Sequence, residues 1–214
     1  MPLFSTDPLL LALTAMLAYL LGAVPFGIVI TRAMGLGDLR QIGSGNIGAT
    51  NVLRTGNKAA AFATLVLDAA KGGVAVLLAR WLLATDSTGL AEDAAQLAGL
   101  AAFLGHLFPV WLRFKGGKGV ATFLGILIAL AWPVGLAACA TWLVGALVTR
   151  TSSIAALVAA ATSAVWIILF SEGQILLLSL VLTVLVYLRH GENLRRINAG
   201  TEPKIGRKPT ASQP

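Results

Sequence analysis

Charged residues are scarce in this chain of 214 residues. Asp, Glu, Lys and Arg together make up 12% of the sequence, whereas a soluble domain carries about 25%. Hydrophobic residues reach 57%, and the mean hydropathy is +0.84. This composition argues against a soluble domain and predicts an all-α integral membrane protein.

Cysteine is almost absent as well. The one cysteine, Cys139, excludes an internal disulfide and provides no thiol cluster for a metal. We therefore expect neither a metal nor another cofactor. Acidic residues are outnumbered by basic ones, giving a formal net charge of +7. That positive charge lies beside apolar segments, which favours a bilayer surface over nucleic acid as its partner.

The apolar segments predict a bundle of seven transmembrane helices. A span needs about 20 apolar residues. The uncharged segment 119–149 is too long for one span, so we divide it at Trp132-Pro133, because proline interrupts a helix. The predicted spans are residues 8–31, 58–83, 94–112, 119–131, 133–149, 151–171 and 173–188.

Lysine and arginine lie almost entirely between alternate spans. Fourteen of the 16 fall on one side of the predicted bundle, the exceptions being Lys71 and Arg80. The positive-inside rule makes this side cytoplasmic, with the N-terminus outside and the C-terminus inside. Nothing basic precedes the first span, so we expect an anchor rather than a cleaved signal. We predict one membrane domain over residues 1–198 and a basic cytoplasmic tail over residues 199–214 that frays.

The first basic cluster, GSGNIGATNVLRTGNK at residues 43–58, places glycines and polar side chains beside an arginine. Glycine lets backbone N–H groups approach an anion, and a helix beginning near Thr50 or Asn51 would add its dipole. A flexible loop with a helix cap is the alternative, but the density of donors beside Arg54 favours a phosphate site. The candidate ligands are Ser44, Gly45, Asn46, Thr50, Asn51 and Arg54.

The second basic cluster, FKGGKG at residues 114–119, is not a P-loop. That motif requires GxxxxGK[ST], but here Leu112 replaces the first glycine and Gly119 replaces Ser/Thr. A positive-inside stop signal is the alternative, yet such a signal does not require three glycines. His106 lies about two helical turns earlier, and a histidine inside a span suggests either function or a structural hydrogen bond. The candidate ligands here are His106, Lys115, Gly116, Gly117 and Lys118.

The third basic cluster, RHGENLRR at residues 189–196, contains two further candidates. His190 and Asn193 are three residues apart and share one face if the helix continues. Histidine can act as a general base or bind phosphate, and asparagine can donate a hydrogen bond to an oxygen. Asp68 and Lys71, also three apart, are expected to form a structural ion pair that braces the bundle.

The three clusters together resemble the bacterial acyl-phosphate:glycerol-3-phosphate acyltransferase family, often called PlsY. The resemblance lies in residues 43–58 with the following DAAKG, in GHLFPVWLRFKGGKGVAT at residues 105–122, and in RHGENLRRINAGTEPK at residues 189–204. These segments cover about a quarter of the chain and occur in the family's order. The family often has proline where this chain has Ile47, a position that contributes no polar group.

This resemblance implies transfer of a fatty acyl group from acyl phosphate to the 1-hydroxyl of glycerol 3-phosphate. The products would be lysophosphatidic acid and phosphate, made at the cytoplasmic face of a bacterial inner membrane. Ser44, Lys115, His190 and Asn193 are predicted to act in catalysis, and the other candidates to bind substrate. His190, His106 or the substrate's phosphate remain alternatives for the general base. A monomer is possible.

Two other classes of function were weighed against the acyltransferase. A transporter of phosphate esters would place polar groups near the midplane and often carries an internal repeat, whereas here the polar groups gather at one surface. A lipid-binding scaffold would explain the basic residues but not Ser44, Asn46, Asn51, His190 and Asn193 among them. The HxxxxD motif of thioester-dependent acyltransferases is absent, since Trp111 and Arg195 stand five residues after the two histidines.

Overall fold

The computed structural model describes residues 8–83 and 90–205, which form α-helices, short 3₁₀ turns and loops without any β-strand in those ranges. The helices in the described ranges are α1 (Pro8–Gly22), α2 (Phe26–Ala33), α3 (Ala49–Val52), α4 (Lys58–Leu82), α5 (Leu90–Leu107), α6 (Val120–Leu130), α7 (Trp132–Thr149), α8 (Ser152–Leu169), α9 (Leu176–Arg189) and α10 (Gly191–Asn198). The all-α prediction is confirmed for this part of the chain.

Apolar helices occur at all seven predicted positions, but not all are long enough to span a bilayer alone. Among the described residues, five segments meet the length and hydropathy of a span, with α1 and α2 counted together. The α9–α10 pair, bent by 60°, makes a sixth. Helix α6 has 11 residues, or about 16 Å at 1.5 Å per residue. The break predicted at Trp132-Pro133 is present, because α6 ends at Leu130 and α7 begins at Trp132.

Helix α6 can be short because it lies in the middle of the bundle. Phe123, Ile126 and Leu127 are at most 1% exposed. Gly125 packs so closely on α4 that a Cβ atom there would come within 2.0 Å of the Ala69 carbonyl oxygen. Small residues allow such close approach of helices in membranes. Surrounded by protein, α6 does not need to match the thickness of the hydrocarbon core.

Helices α1 and α5 also pack closely through glycines, with one glycine on each helix lying against the backbone of the other. A Cβ atom on Gly22 would lie 2.0 Å from the Ala102 carbonyl oxygen, and one on Gly105 would lie 2.2 Å from the Tyr19 carbonyl oxygen. The Tyr19 hydroxyl donates to the Phe108 carbonyl, 2.7 Å away. The helix leading to the second basic cluster is therefore fixed against the first span.

Lys71 and Arg80, the two cations that depart from the positive-inside pattern, are both paired. Lys71 Nζ lies 2.8 Å from Asp68 Oδ1 and donates to the Val24 carbonyl at 2.9 Å, which confirms the predicted ion pair. Arg80 binds Glu92, with 2.7 Å between Nε and Oε1, and donates to the Ala129 carbonyl at the end of α6. Neutralisation explains how both cations depart from the positive-inside pattern.

The predicted tail needs correction. Residues 199–205 fold back onto the helices, where Lys204 Nζ donates to the Thr149 carbonyl at 3.0 Å and the Ile205 amide to the Arg150 carbonyl at 2.7 Å. The expectation that the chain frays from Ala199 was wrong for these residues, because hydrogen bonds fix them to the α7–α8 turn. Residues 206–214 of the predicted tail, with Arg207 and Lys208, lie outside the described residues, as does Asp86.

Candidate active site

A cavity of about 630 Å³ opens where the three basic clusters meet. Its mouth is polar, and its inner part is lined by apolar side chains of α4, α6 and α7. Segments more than a hundred residues apart in the chain therefore share one site. The predicted residues that line it are Ser44, Asn46, Thr50, Asn51, Arg54, His106, Lys118, His190 and Asn193.

Asn51 organises the first loop. Its side chain is buried, and its Nδ2 donates to the Leu39 carbonyl at 2.9 Å. Its Oδ1 accepts from the Ser44 amide at 3.2 Å and from Arg54 Nη1 at 3.3 Å. Gly45 has a φ of +67°, a backbone conformation that glycine adopts without strain. Asn51 is thus an internal brace that holds Ser44 and Arg54 together.

The helix expected near Thr50 or Asn51 is present but is only a single turn. Helix α3 ends after four residues and continues as a 3₁₀ turn over Leu53–Thr55, so Arg54 lies in that turn rather than inside an α-helix. A single turn has little macrodipole, because the dipole is the sum of aligned peptide units. The positive charge of Arg54, more than a helix terminus, makes this loop attractive to anions. Burial lowers the pKa of Arg54, and Glu202 partly offsets this effect.

The second loop is held by its own backbone. The amides of Gly116 and Gly117 donate to the carbonyls of Leu107 and His106, at 3.0 and 3.1 Å. A Cβ atom on Gly117 would lie 2.3 Å from His106 Nε2. These two amides are therefore hydrogen-bonded within the protein and are not free donors for an anion. The glycines allow the loop to pack on α5.

Lys115 and Lys118 have different environments. Lys115 is exposed and does not line the cavity, although its carbonyl accepts from Arg40 Nη2 at 3.4 Å. Gly45, Gly116 and Gly117 are also outside the cavity lining. Lys118 faces the cavity, and its Nζ donates to Asn193 Oδ1 at 2.6 Å. Of the two lysines, Lys118 is the one that the fold brings to the other candidates.

Glu202 is a site residue that the sequence analysis missed. Its Oε1 accepts from Asn193 Nδ2 at 2.6 Å and from Ser153 Oγ at 2.7 Å, and its Oε2 lies 2.7 Å from Arg196 Nε. The side chain is 10% exposed. The position of this acid between Arg196 and Lys204, in the segment RINAGTEPK, was the available signal. Glu202 links α8, α10 and Lys118 through Asn193.

Burial and neighbouring charges shift the pKa values of the ionisable groups at the mouth. Burial lowers the pKa of Lys118 to about 8; Glu202 opposes this effect, and Arg196 and Arg54 add to it. Burial alone would raise the pKa of Glu202, but hydrogen bonds from Ser153, Asn193 and Arg196 hold it below its usual range. Near neutral pH the mouth therefore contains a fixed carboxylate and a lysine that titrates unusually close to neutrality.

The two histidines lie on different walls. His190, which the sequence suggested was at the surface, is 2% exposed, and its Nδ1 lies 2.8 Å from the Val186 carbonyl. That carbonyl can only accept, so it favours the tautomer with the proton on Nδ1 and leaves Nε2 able to accept. His106 is 5% exposed, with Nδ1 3.7 Å from Asp68 Oδ1. His106 thus joins the Asp68–Lys71 pair.

The beginning of α8 supplies polar groups that the sequence analysis did not assign. Ser152 Oγ lies 3.0 Å from Thr50 Oγ1, and Ser153 binds Glu202. Both follow the short turn at Arg150, which the positive-inside pattern placed on the same side as the three clusters. Helix α8 has 18 residues, or about five turns, and it directs its N-terminus, which is favourable to anions, toward the cavity mouth.

The inner part of the cavity is an apolar arm. Its wall includes Leu65 of α4, Leu124 and Ile128 of α6, and Cys139 and Trp142 of α7. No cluster of three or more His, Cys, Asp or Glu side chains suited to a metal occurs within residues 8–83 and 90–205. One cavity therefore offers cations and hydrogen-bond donors at the mouth and an apolar arm behind them.

Comparison with known proteins identifies the family. A family model described as glycerol-3-phosphate acyltransferase matches residues 12–200. A glycerol-3-phosphate acyltransferase of Cereibacter sphaeroides is 63% identical over 213 residues, covering 100% of this chain and 98% of the relative. One from Jannaschia sp. is 63% identical over 206 residues, covering 96% and 98%.

Solved structures agree with this assignment. The crystal structure of PlsY (YgiH), an integral membrane glycerol 3-phosphate acyltransferase, in its glycerol 3-phosphate form has a TM-score of 0.82 at 37% identity, covering 92% of this chain and 96% of that one. Its lysophosphatidic acid form has the same TM-score at 36% identity. This chain belongs to the glycerol-3-phosphate acyltransferase family.

Replacing Glu202 should disable the site. Glu202→Gln keeps the shape but removes the charge and replaces one acceptor oxygen by an NH₂ donor, which faces other donors. Hydrogen bonds to charged groups contribute about 1.5–3 kcal/mol each, so we expect kcat/KM to fall roughly ten- to a hundredfold. The measurement is steady-state acyltransferase activity of purified protein, with thermal unfolding recorded in parallel.

Glu192→Gln is the matched control for this change. Glu192 is 83% exposed and lies 3.9 Å from the same arginine, Arg196, so its loss should change kcat/KM by less than about twofold. Equal activity of the two variants would contradict the central role of Glu202.

Proposed function

We propose that this member of the glycerol-3-phosphate acyltransferase family transfers a fatty acyl group from acyl phosphate to the 1-hydroxyl of glycerol 3-phosphate. The products are lysophosphatidic acid and inorganic phosphate, so the enzyme acts at the start of phospholipid synthesis. The observation that carries the proposal is the single cavity with a cationic mouth and an apolar arm. Both substrates carry phosphate, and only the donor carries a long chain.

The mouth is suited to two phosphate groups. Arg54 and Lys118 face it from the first and second loops, and Arg196 and Lys204 line it from the side of α10. Ser152 and Ser153 begin α8 on the same side. Charge-assisted hydrogen bonds to phosphate are stronger than neutral ones. Glu202 counterbalances these cations and keeps their positions fixed when the substrates are absent.

The reaction requires positioning more than activation. Acyl phosphate is a mixed anhydride, so its phosphate is already a good leaving group. The glycerol hydroxyl oxygen attacks the acyl carbon, the bond from that carbon to the phosphate oxygen breaks, and the hydroxyl proton ends on the released phosphate. Lys118, Asn193 and Ser44 lie where they can stabilise the oxygen that gains negative charge.

Direct transfer fits the surroundings of Ser44 better than an acyl-enzyme does. Its hydroxyl lies 3.4 Å from Asn51 Oδ1, and within the described residues no histidine or lysine is hydrogen-bonded to it. A serine nucleophile needs an adjacent base. We therefore assign Ser44 to hydrogen bonding with a substrate oxygen, while the predicted catalytic role of Lys115 remains a prediction for an exposed residue.

The proposed setting is a bacterial inner membrane crossed seven times, with the site at the cytoplasmic face. The seven apolar helical segments, the short α6 included, and the cluster of Lys and Arg around the mouth support this topology. Glycerol 3-phosphate then enters from the cytoplasm, and the donor reaches the apolar arm from the bilayer. No cofactor is proposed.

The decisive experiment measures phosphate release by the purified enzyme. Palmitoyl phosphate should yield phosphate and lysophosphatidic acid in equal amounts, and only when glycerol 3-phosphate is added. Quenching the enzyme with labelled donor alone should give no labelled peptide containing Ser44. Turnover with a thioester donor but not with acyl phosphate would refute the proposed donor, and a Ser44 adduct that chases into product would refute direct transfer.

The pH dependence should reveal Lys118. Its ammonium group binds phosphate only while protonated, and its pKa is about 8, so kcat/KM for glycerol 3-phosphate should fall as pH rises above about 8. Lys118→Arg should move this fall to higher pH, because arginine stays charged. The measurement is a set of pH profiles from 7 to 10 for both proteins. If kcat/KM fell over the same alkaline pH range in both proteins, a group other than Lys118 would control that fall.

Cysteine labelling should test the orientation in intact cells. In a Cys139→Ala background, exposed positions in or next to the three basic clusters can be changed one at a time, as Arg40→Cys, Lys115→Cys and Glu192→Cys. An impermeant thiol reagent should leave all three unlabelled but should label Gln174→Cys, which lies in the turn between α8 and α9. Labelling of any of the first three from outside would refute the proposed topology.

A further inference from the structure

We propose that Cys139 determines how long an acyl chain the enzyme accepts, because it lies in the wall of the apolar arm at a depth that only long chains reach. This inference rests on the proposed function, since it assigns the arm to the acyl chain of the donor. It concerns the number of carbons in the acyl chain, whose far end does not contact the polar mouth. The argument depends on the depth of the arm, its side opening and the size of its lining residues.

Two helices give the same depth for Cys139. Helix α4 begins at the mouth and α7 ends there, so distances along these two helices can be compared. At about 1.5 Å per residue, Cys139 lies about 15 Å from Thr149, and Ala69 lies about 16 Å from Lys58. Ala69 and Cys139 both line the cavity. Cys139 therefore lies roughly 15 Å from the mouth along the arm.

This depth corresponds to part of a fatty acyl chain. Carbon–carbon bonds of about 1.52 Å at tetrahedral angles advance an extended chain by about 1.25 Å per carbon. About twelve carbons thus fit between the mouth and Cys139. A chain of eight carbons ends before Cys139, whereas one of sixteen must pass it and continue into the bilayer.

The residue at 139 is small where its neighbours are large. Leu124, Ile128 and Trp142 form the adjacent wall, and the Cys139 side chain faces the cavity between them. Leu65 and Ile128 are 44% and 39% exposed, so the arm is open to lipid along one side. A lipid tail is as apolar as the arm, so chain length is selected by exclusion of chains that do not fit, rather than by attraction.

Selectivity is tested with octanoyl and palmitoyl phosphate as competing donors. Cys139→Phe adds bulk at the deep section and should lower kcat/KM for palmitoyl phosphate at least tenfold, with octanoyl phosphate changed by less than about threefold. Cys139→Ala should leave the ratio unchanged. Leu143→Phe, which places the same aromatic side chain at an exposed position of α7 outside the cavity lining, should also leave it unchanged. Cys139→Leu provides a milder increase in size if the phenylalanine variant does not fold.

Each outcome separates the inference from the function on which it rests. An unchanged ratio in Cys139→Phe or Cys139→Leu would overturn the inference, because the chain would then leave the arm sideways between Leu65 and Ile128. Equal loss with both donors in a folded variant would also overturn it. If wild-type protein used neither acyl phosphate but used thioesters, the donor proposal would fail. The same two chain lengths as thioesters would then decide the role of Cys139.

Discussion

The carboxylate of Glu202 is the interaction on which the mouth of the site depends. It accepts hydrogen bonds from Ser153 at the start of α8 and from Asn193 on α10, and it pairs with Arg196. Through Asn193 it also fixes Lys118, whose loop comes from a different part of the chain. Several cations held at one site repel each other, and desolvation adds to their cost. A buried carboxylate within hydrogen-bond distance relieves both effects, so that the cationic mouth can exist before any phosphate binds.

The cations deeper in the bundle are likewise compensated by carboxylates. Lys71 is neutralised by Asp68, and Arg80 by Glu92 together with the carbonyls that end α6. An ionised group in a span is tolerated only when it is paired or faces the protein interior. His106 adjoins the first of these pairs and also contacts Gly117, which connects the interior ion pair to the loop of Lys118. The packing of α4 and α5 is thereby coupled to the position of Lys118 at the mouth of the cavity.

Much of this arrangement follows from the sequence, because local signals are strong in a membrane protein. The apolar segments gave the helix positions, the Trp132-Pro133 break is present, and the spacing of Asp68 and Lys71 predicted their pair. The roles of Gly116 and Gly117 in packing did not follow, since the same glycines would suit an open anion-binding loop. Glu202 was missed for a related reason. Its importance arises because Ser153, Asn193 and Arg196 contact it from different parts of the chain. Without knowledge of those partners, a polar segment after the last span is interpreted as a tail.

The placement of the cavity also links its polar mouth to its apolar arm. The cations are held by loops and helix ends at the surface, whereas the arm is built by the first four turns of α4, by α6 and by the last turns of α7. Because α4 and α7 each have one end at the mouth, the arm opens directly onto the cations. The short α6 makes this possible: it ends inside the bundle, so α7 can begin beside it and supply a second wall for the arm. Lengthening α6 to a full span would improve its match to the bilayer but would move the Trp132-Pro133 turn and the section of α7 that contains Cys139. The geometry of the site thus explains why one helix of the bundle is too short to cross the membrane alone.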